Sequence, residues 1–368
     1  MVDFEVFYRS ADRLMDGQNL YRIESDGDYV FKYAPTSALY FSPFLALPLN
    51  IAKVTYWLFL CFCIFSVYYL SGKLYLKVLI RSWPKDVNSI IIVAFAAVFI
   101  HLERELVLGQ VNWLLLFLYL LMVMAYSENK HMMTALILAF TLFIKPFGLI
   151  FLPYFILKRK FRTLAWLALF FIVFFLLPLI FYTVSEYAAQ LQGWFHELTI
   201  EMGNKQDLHS QRIHTIFSIL VRYTPLYFIS FGPAGKMVYQ ILVLAIVALA
   251  VLWYIRMGRE KGSSENENFA LLIALIPLIA FTNDNAFLFL TPAIIFLLSK
   301  FDRLNMLQKF LLCAGLLFQG ANIHDLWGAE LSLKIQDWSL VAIGAILILL
   351  IMFFLRFGKL KSYSEQKK

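Results

Sequence analysis

The stretch that decides the fold is residues 132–157, MMTALILAFTLFIKPFGLIFLPYFIL. As a single helix it would hold Lys145 near the centre of a bilayer, where insertion scales charge about 2.5–3.5 kcal/mol for a lysine. As two legs divided at Lys145-Pro146, each leg is only about 18–20 Å long at roughly 1.5 Å per residue. Proline favours the division, because it lacks an amide donor and keeps the residue before it out of the helical region. Lys145 then lies below the outer surface, in a recess lined by protein, and calls for an anionic partner. The choice also sets the sidedness of every later loop.

Outward from this hairpin, apolar runs fill the chain. The sequence predicts eleven spans, near 52–71, 88–102, 110–126, 132–144, 146–157, 163–182, 236–255, 268–282, 286–300, 307–320 and 337–356. The chain is 61% hydrophobic and 15% charged, with a mean hydropathy of +0.73, whereas soluble domains carry about 25% charged residues. A spanning chain must satisfy its own backbone polar groups, and the runs lack the alternation of an outer-membrane barrel, so the expected class is an all-α polytopic membrane protein. Cys61, Cys63 and Cys313 all fall in apolar runs, which reads as small buried hydrophobes rather than a disulfide framework.

The net charge of +8 is explained by topology and not by nucleic acid. Threading the spans alternately collects nineteen lysines and arginines on one side, in short loops and the tail, against ten on the other. The basic side is then cytoplasmic. Residues 1–51 form a first external loop, 52–182 a set of membrane helices containing the broken hairpin 132–157, and 183–235 a large external loop with interfacial helices. Residues 236–356 form further membrane helices, and 357–368 a basic cytoplasmic tail. An odd number of spans with an external amino-terminal segment predicts one further helix before residue 1, giving twelve. The localisation expected is the cell (inner) membrane, multi-pass, with the polar site on the extracytoplasmic face.

Chemistry must sit in the external loops, since the bundle is too apolar to hold it. Asp3 or Glu5 could each act as a single general base on an acceptor hydroxyl, or be solvated charges. Glycosyl transfer from a phosphate-linked donor needs one such base, together with cationic stabilisation of the departing phosphate. Lys145 and Arg104 are external cations near membrane level, and Lys205 and His214 lie in the second external loop. Gly109-Gln110-Val111-Asn112 opens a span on the external side, where its side-chain amides could bind sugar hydroxyls or cap the helix. Tyr21 and Tyr33 lie in the polar first loop, where aromatic faces stack on sugar rings, and Asn204 is a further polar candidate. His196, His209 and His214 with Glu197 and Glu201 match no zinc spacing, so neither metal nor cofactor is expected.

These residues resemble glycosyltransferase family 87. Asp3-Phe4, Gly17 to Leu20-Tyr21, Phe31-x-Tyr33-x-Pro35 and Pro43 resemble its first external loop. Gly109-Gln110-Val111-Asn112 and Ile144-Lys145-Pro146 follow in the family's order. The resemblance implies a GT-C-type helical bundle whose external loops form the active site. It implies inverting transfer of a hexose, mannose-like, from a polyprenyl-phosphate carrier to a glycolipid or glycan acceptor, and it places the catalytic aspartate on Asp3. Glu5, Tyr21, Tyr33, Gln110, Asn112 and Asn204 are then the acceptor- or sugar-binding candidates. Lys145, Arg104, Lys205 and His214 are those for the donor phosphate. The sequence departs from the family at Lys205-Gln206-Asp207-Leu208, in place of Asn-Gln-Ser-Leu. It departs again at Asn283-Asp284-Asn285, in place of a late Trp and His pair. The alternative function is a transporter or flippase of lipid-linked sugars, which charged residues buried within several spans would favour.

Overall fold

The computed structural model describes residues 1–76, 85–205, 207–208, 210, 213–229, 232–260, 264–320 and 323–365. It is 85% helical, with no strand among the described residues. The chain forms two compact units, Met1–Leu70 with Glu103–Asn204, and Ser71–Leu102 with Lys205–Lys368.

In chain order the principal helices begin with α1 (Val2–Met15), α2 (Leu49–Ser71), α3 (Lys85–Leu108) and α4 (Asn112–Ser127). They continue with α5 (His131–Ile144), α6 (Phe151–Leu157), α7 (Phe161–Leu176) and α8 (Val184–Lys205). Beyond these lie α9 (Ile216–Tyr223), α10 (Gly232–Glu260), α11 (Glu265–Ile279) and α12 (Thr291–Leu298). The last are α13 (Met306–Gly320), α14 (His324–Asp337) and α15 (Leu340–Glu365). Each of the eleven apolar runs falls on helix. By length and composition, however, Leu49–Leu76, Phe161–Ile180 and Gly235–Gly258 are, among the described residues, the ones that can cross a membrane alone. Two bent pairs, Val87–Leu108 with Asn112–Ser127 and Trp327–Asp337 with Leu340–Arg356, raise the number to five. The other apolar helices are too short to qualify by themselves, so the structure supports a multi-pass membrane protein and not a particular span count.

In the first unit, the polar amino-terminal segment is ordered around α1. Phe4, Phe7, Ala11 and Leu14 recur at helical spacing and are buried, which gives the helix one apolar face to pack. Phe4 stacks on Tyr56 at 4.4 Å between centroids, and Phe7 on Phe41 at 4.6 Å. Acidic Asp3 and Glu5 in the first turn and Arg13 in the last complement the helix dipole. The helix stops at Gly17, whose φ of 67° lets the Gln18 amide fold back onto the Arg13 carbonyl.

The 132–157 stretch breaks at Lys145. Lys145 is extended, with φ −140° and ψ 131°, and Pro146 starts a 3-10 turn leading into α6. The turn presses on α5 at Gly148, where a Cβ would fall 2.5 Å from Leu138 Cδ1. A segment without expected structure, 184–205, is instead the 22-residue helix α8.

In the second unit α11 is buried along nearly its whole length. Arg356, which the sequence places among the cytoplasmic charges, is 3% exposed and belongs to the packing. It donates to Glu267 Oε2 at 2.8 Å and to Asn268 Oδ1 at 3.0 Å, with its guanidinium 3.8 Å from the Tyr254 ring centroid. The helix α9 turns Phe217 and Val221 into a cluster with Leu208, Tyr239 and Val243, so protein rather than lipid covers those residues.

Candidate active site

The first unit brings Asp3, Gln110 and Tyr33 into one hydrogen-bonded set and Lys145, Asn112 and Glu105 into a second, the two meeting where the Lys145 ammonium faces the Tyr33 ring. Gly109 makes the approach possible. Its φ is +74°, and a Cβ there would lie 3.0 Å from both Phe4 Cβ and Met1 Cε. Glycine alone lets the turn between α3 and α4 lie against the first turn of α1.

Gln110 follows, and its side-chain amide is used at both ends. Nε2 donates to Asp3 Oδ2 at 2.5 Å, while Oε1 accepts from the Tyr33 hydroxyl at 3.3 Å. Burial raises the Tyr33 phenol above its ordinary pKa, and the charges of Asp3 and Glu105 raise it further. The Asp3 carboxylate can only accept, so it takes the Nε2 end of the amide and leaves Oε1 to the Tyr33 hydroxyl, which stays protonated and donates. The Tyr21 hydroxyl donates to the Tyr33 carbonyl at 2.6 Å. Among the described residues, Gln110 is the hydrogen-bond partner of the Asp3 carboxylate, and it occupies one oxygen.

The other half of the group is built on Asn112. Its side chain is 3% exposed and lies between two charges. Lys145 Nζ donates to Asn112 Oδ1 at 2.9 Å, and Asn112 Nδ2 donates to Glu105 Oε1 at 2.8 Å. Glu105 Oε2 also accepts from the Asn112 backbone amide at 3.0 Å, so a carboxylate rather than Asn112 satisfies the start of α4. The lysine ammonium stands 5.9 Å from the Tyr33 ring centroid and 5.6 Å from that of Phe147. Sequence reasoning missed Glu105, which is fully buried. An acid inside an apolar run is the signal that marks it.

Glu5 belongs to a different environment from Asp3. Its carboxylate accepts from Lys53 Nζ at 2.7 Å and pairs with Arg9. The Lys53 hydrogen bond, with the nearby positive charges, holds the Glu5 carboxyl below the usual range. A carboxylate so neutralised is a weak base. Asn112 and Tyr21 also differ from expectation: both are buried with their polar atoms bonded to protein, so they shape the site from behind. Arg104 precedes Glu105 on α3 and is partly buried. Lys32 Nζ pairs with Glu201 Oε2 of α8 at 2.7 Å, tying the first loop to that helix. Burial raises the neighbouring Glu197 carboxyl, and Lys32 partly offsets it.

The side chains of Asn204 and Lys205 lie outside the described residues. His214 belongs to the second unit and is 3% exposed. There its Nε2 stands 3.2 Å from Asp284 Oδ1 and its Nδ1 3.0 Å from Ser339 Oγ. Asp284 is part of the Asn283-Asp284-Asn285 run.

The group thus combines a carboxylate, an ordered amide and phenol, and a recessed ammonium in one unit. The sequence model of glycosyltransferase family 87 matches residues 31–282. That stretch contains Tyr33, Gln110, Asn112 and Lys145 and begins after Asp3. No curated protein and no solved structure matches the chain.

Proposed function

The chain belongs to glycosyltransferase family 87, a glycosyltransferase with membrane helices, and we propose that it moves a hexose, mannose in kind, from a polyprenyl-phosphate carrier to an acceptor hydroxyl. The observation that carries this reading is the Asp3–Gln110 hydrogen bond, which joins the amino-terminal helix to the turn leading to Asn112 and Lys145. One group can take a proton, and another can meet a leaving anion.

The proposed step is a single displacement with inversion. The acceptor hydroxyl attacks the anomeric carbon and gives its proton to Asp3, as its bond to the sugar forms. The bond between the anomeric carbon and the phosphate oxygen breaks, and the carrier leaves as a phosphate anion that needs no proton. Lys145 offsets the charge developing on that oxygen. A preorganised cation is worth more here than in water, because its orientation is set before the reaction begins. Asn112, held by Glu105, keeps the ammonium from turning away. On this reading the site faces the extracytoplasmic side, where the first loop and α8 lie together through the Lys32–Glu201 pair.

The test is incubation of the purified full-length protein, in lipid nanodiscs, with a panel of polyprenyl-phosphate hexoses and neutral oligosaccharide acceptors. Release of carrier phosphate coupled to a lengthened acceptor supports the reading. Sugar crossing the bilayer still attached to its carrier would replace it with a transporter.

A further inference from the structure

The amino-terminal helix has a second face that takes no part in the Asp3 group. On it lies a cleft of about 380 Å³, lined by Val2, Glu5, Val6, Arg9, Ser10 and Arg13 of α1, and by Ser25, Asp26 and Tyr29 of the turn that follows. The volume falls within the roughly 300–1,000 Å³ of small-ligand sites.

The charges of the cleft are already neutralised by one another. Arg13 makes a two-pronged pair with Asp26, at 2.5 and 2.9 Å, with both side chains 15% exposed. Glu5 is held by Arg9 and Lys53. Such pairs present oriented donors and acceptors without a strong net field. An ionic ligand would gain little attraction and would have to break them. Beside the pairs stand the hydroxyls of Ser10 and Ser25, the methyl groups of Val2 and Val6, and the Tyr29 ring, which is 60% exposed. Flat apolar surface next to fixed, self-neutralised hydrogen-bonding groups fits a ligand with one apolar face and a rim of hydroxyls.

We propose that this cleft is a binding subsite for a neutral oligosaccharide. Tyr29 supplies the stacking face, and Arg9, Ser25 and the Arg13–Asp26 pair supply the hydrogen bonds. Its use as the acceptor subsite rests on the glycosyltransferase reading above. Val2 and Glu5, which flank Asp3 in the sequence, line the cleft, so an acceptor chain held there extends to the turn of α1 that carries the proposed base.

The experiment uses the full chain in nanodiscs without sugar-based detergent. The probes are mannobiose, maltose, cellobiose and lactose, with sn-glycerol 3-phosphate as an anionic probe. Binding is read by saturation-transfer NMR, alongside carrier release from a polyprenyl-phosphate hexose. We expect at least one disaccharide to bind, and Tyr29→Ala to weaken it tenfold or more. Arg9→Ala, at a second exposed position, should weaken it at least threefold. In the transfer assay the same substitutions should raise the KM for acceptor more than they lower kcat. Absence of disaccharide binding, binding indifferent to both substitutions, or a response to glycerol phosphate alone would overturn the subsite. Carrier release with no Tyr29-dependent sugar binding removes the subsite and leaves the enzyme. Tyr29-dependent sugar binding with no carrier release does the reverse.

Discussion

Asp3 and Gln110, 107 positions apart in the chain, share a hydrogen bond of 2.5 Å, while Glu5, two residues from Asp3, is neutralised by Lys53 and Arg9. The helix carries the two acids on different flanks, so they have different work. Asp3→Asn should reduce turnover by roughly 10²–10⁴-fold, the range for loss of a positioned base, with expression and donor binding retained. Glu5→Gln, which releases Arg9 of the acceptor cleft, should raise the KM for acceptor while leaving most of kcat in place. Equal losses in the two variants, measured in the carrier-release assay, would remove Asp3 from its assigned role.

Lys145→Met separates a phosphate-binding lysine from one that only anchors the hairpin. Loss of a cation used in both ground and transition states lowers donor affinity and turnover together. Methionine at an anchoring position would be tolerated. Donor affinity measured by calorimetry in nanodiscs is the deciding quantity, and an unchanged value in a folded variant transfers the role to Arg104.

Tyr33→Phe tests the lock on Gln110. Removing one neutral hydrogen bond costs about 0.5–1.5 kcal/mol, which corresponds to a few-fold to about tenfold in turnover. A loss as large as that of Asp3→Asn would mean that the phenol itself enters the chemistry.

Glu5 also predicts a pH dependence of stability. Its carboxyl lies below the ordinary value of 4.5 in the folded protein, chiefly through the Lys53 hydrogen bond. A lowered folded-state pKa adds stability that is present above the unfolded value and is lost as pH falls through the folded one. The melting temperatures of wild type and Glu5→Gln should therefore differ at pH 6 and converge as the pH is lowered below about 4. A constant difference across that range would show that the pair adds no pH-dependent stability.

Sidedness can be read with single cysteines in a background lacking Cys61, Cys63 and Cys313. Gln18→Cys should react with a membrane-impermeant maleimide added outside, and Lys130→Cys only after permeabilisation. The opposite pattern would put the Asp3 group on the cytoplasmic side.

The helical class and the break at Lys145 were legible because both follow from local rules: apolar runs of helical length, and a proline that bars its predecessor from the helix. Asp3, Gln110 and Lys145 were found as short motifs. Their assembly was not, since it depends on contacts between segments far apart in sequence. Glu105 escaped notice because a single acid inside α3 looks like an interruption until its partner Asn112 is in place. The burial of Tyr21 was hidden for the opposite reason. It lies in a polar segment, yet α8 comes so close that a Cβ on Gly193 would sit 3.1 Å from its ring. The helix α8 itself, in a stretch of mixed polarity, gave too weak an apolar period to be distinguished from a loop.

The orientation of the Gln110 amide has one further consequence. Because the Asp3 carboxylate only accepts, the group that faces it is an NH₂, which can give a hydrogen bond and cannot receive a proton. A proton arriving on Asp3 has no onward route through this neighbour. With Gln110 closed to it, the proton leaves from the other carboxylate oxygen before the next acceptor enters. If Asp3 is the base, each sugar transfer on this scaffold would therefore release one proton to the solvent that the site faces.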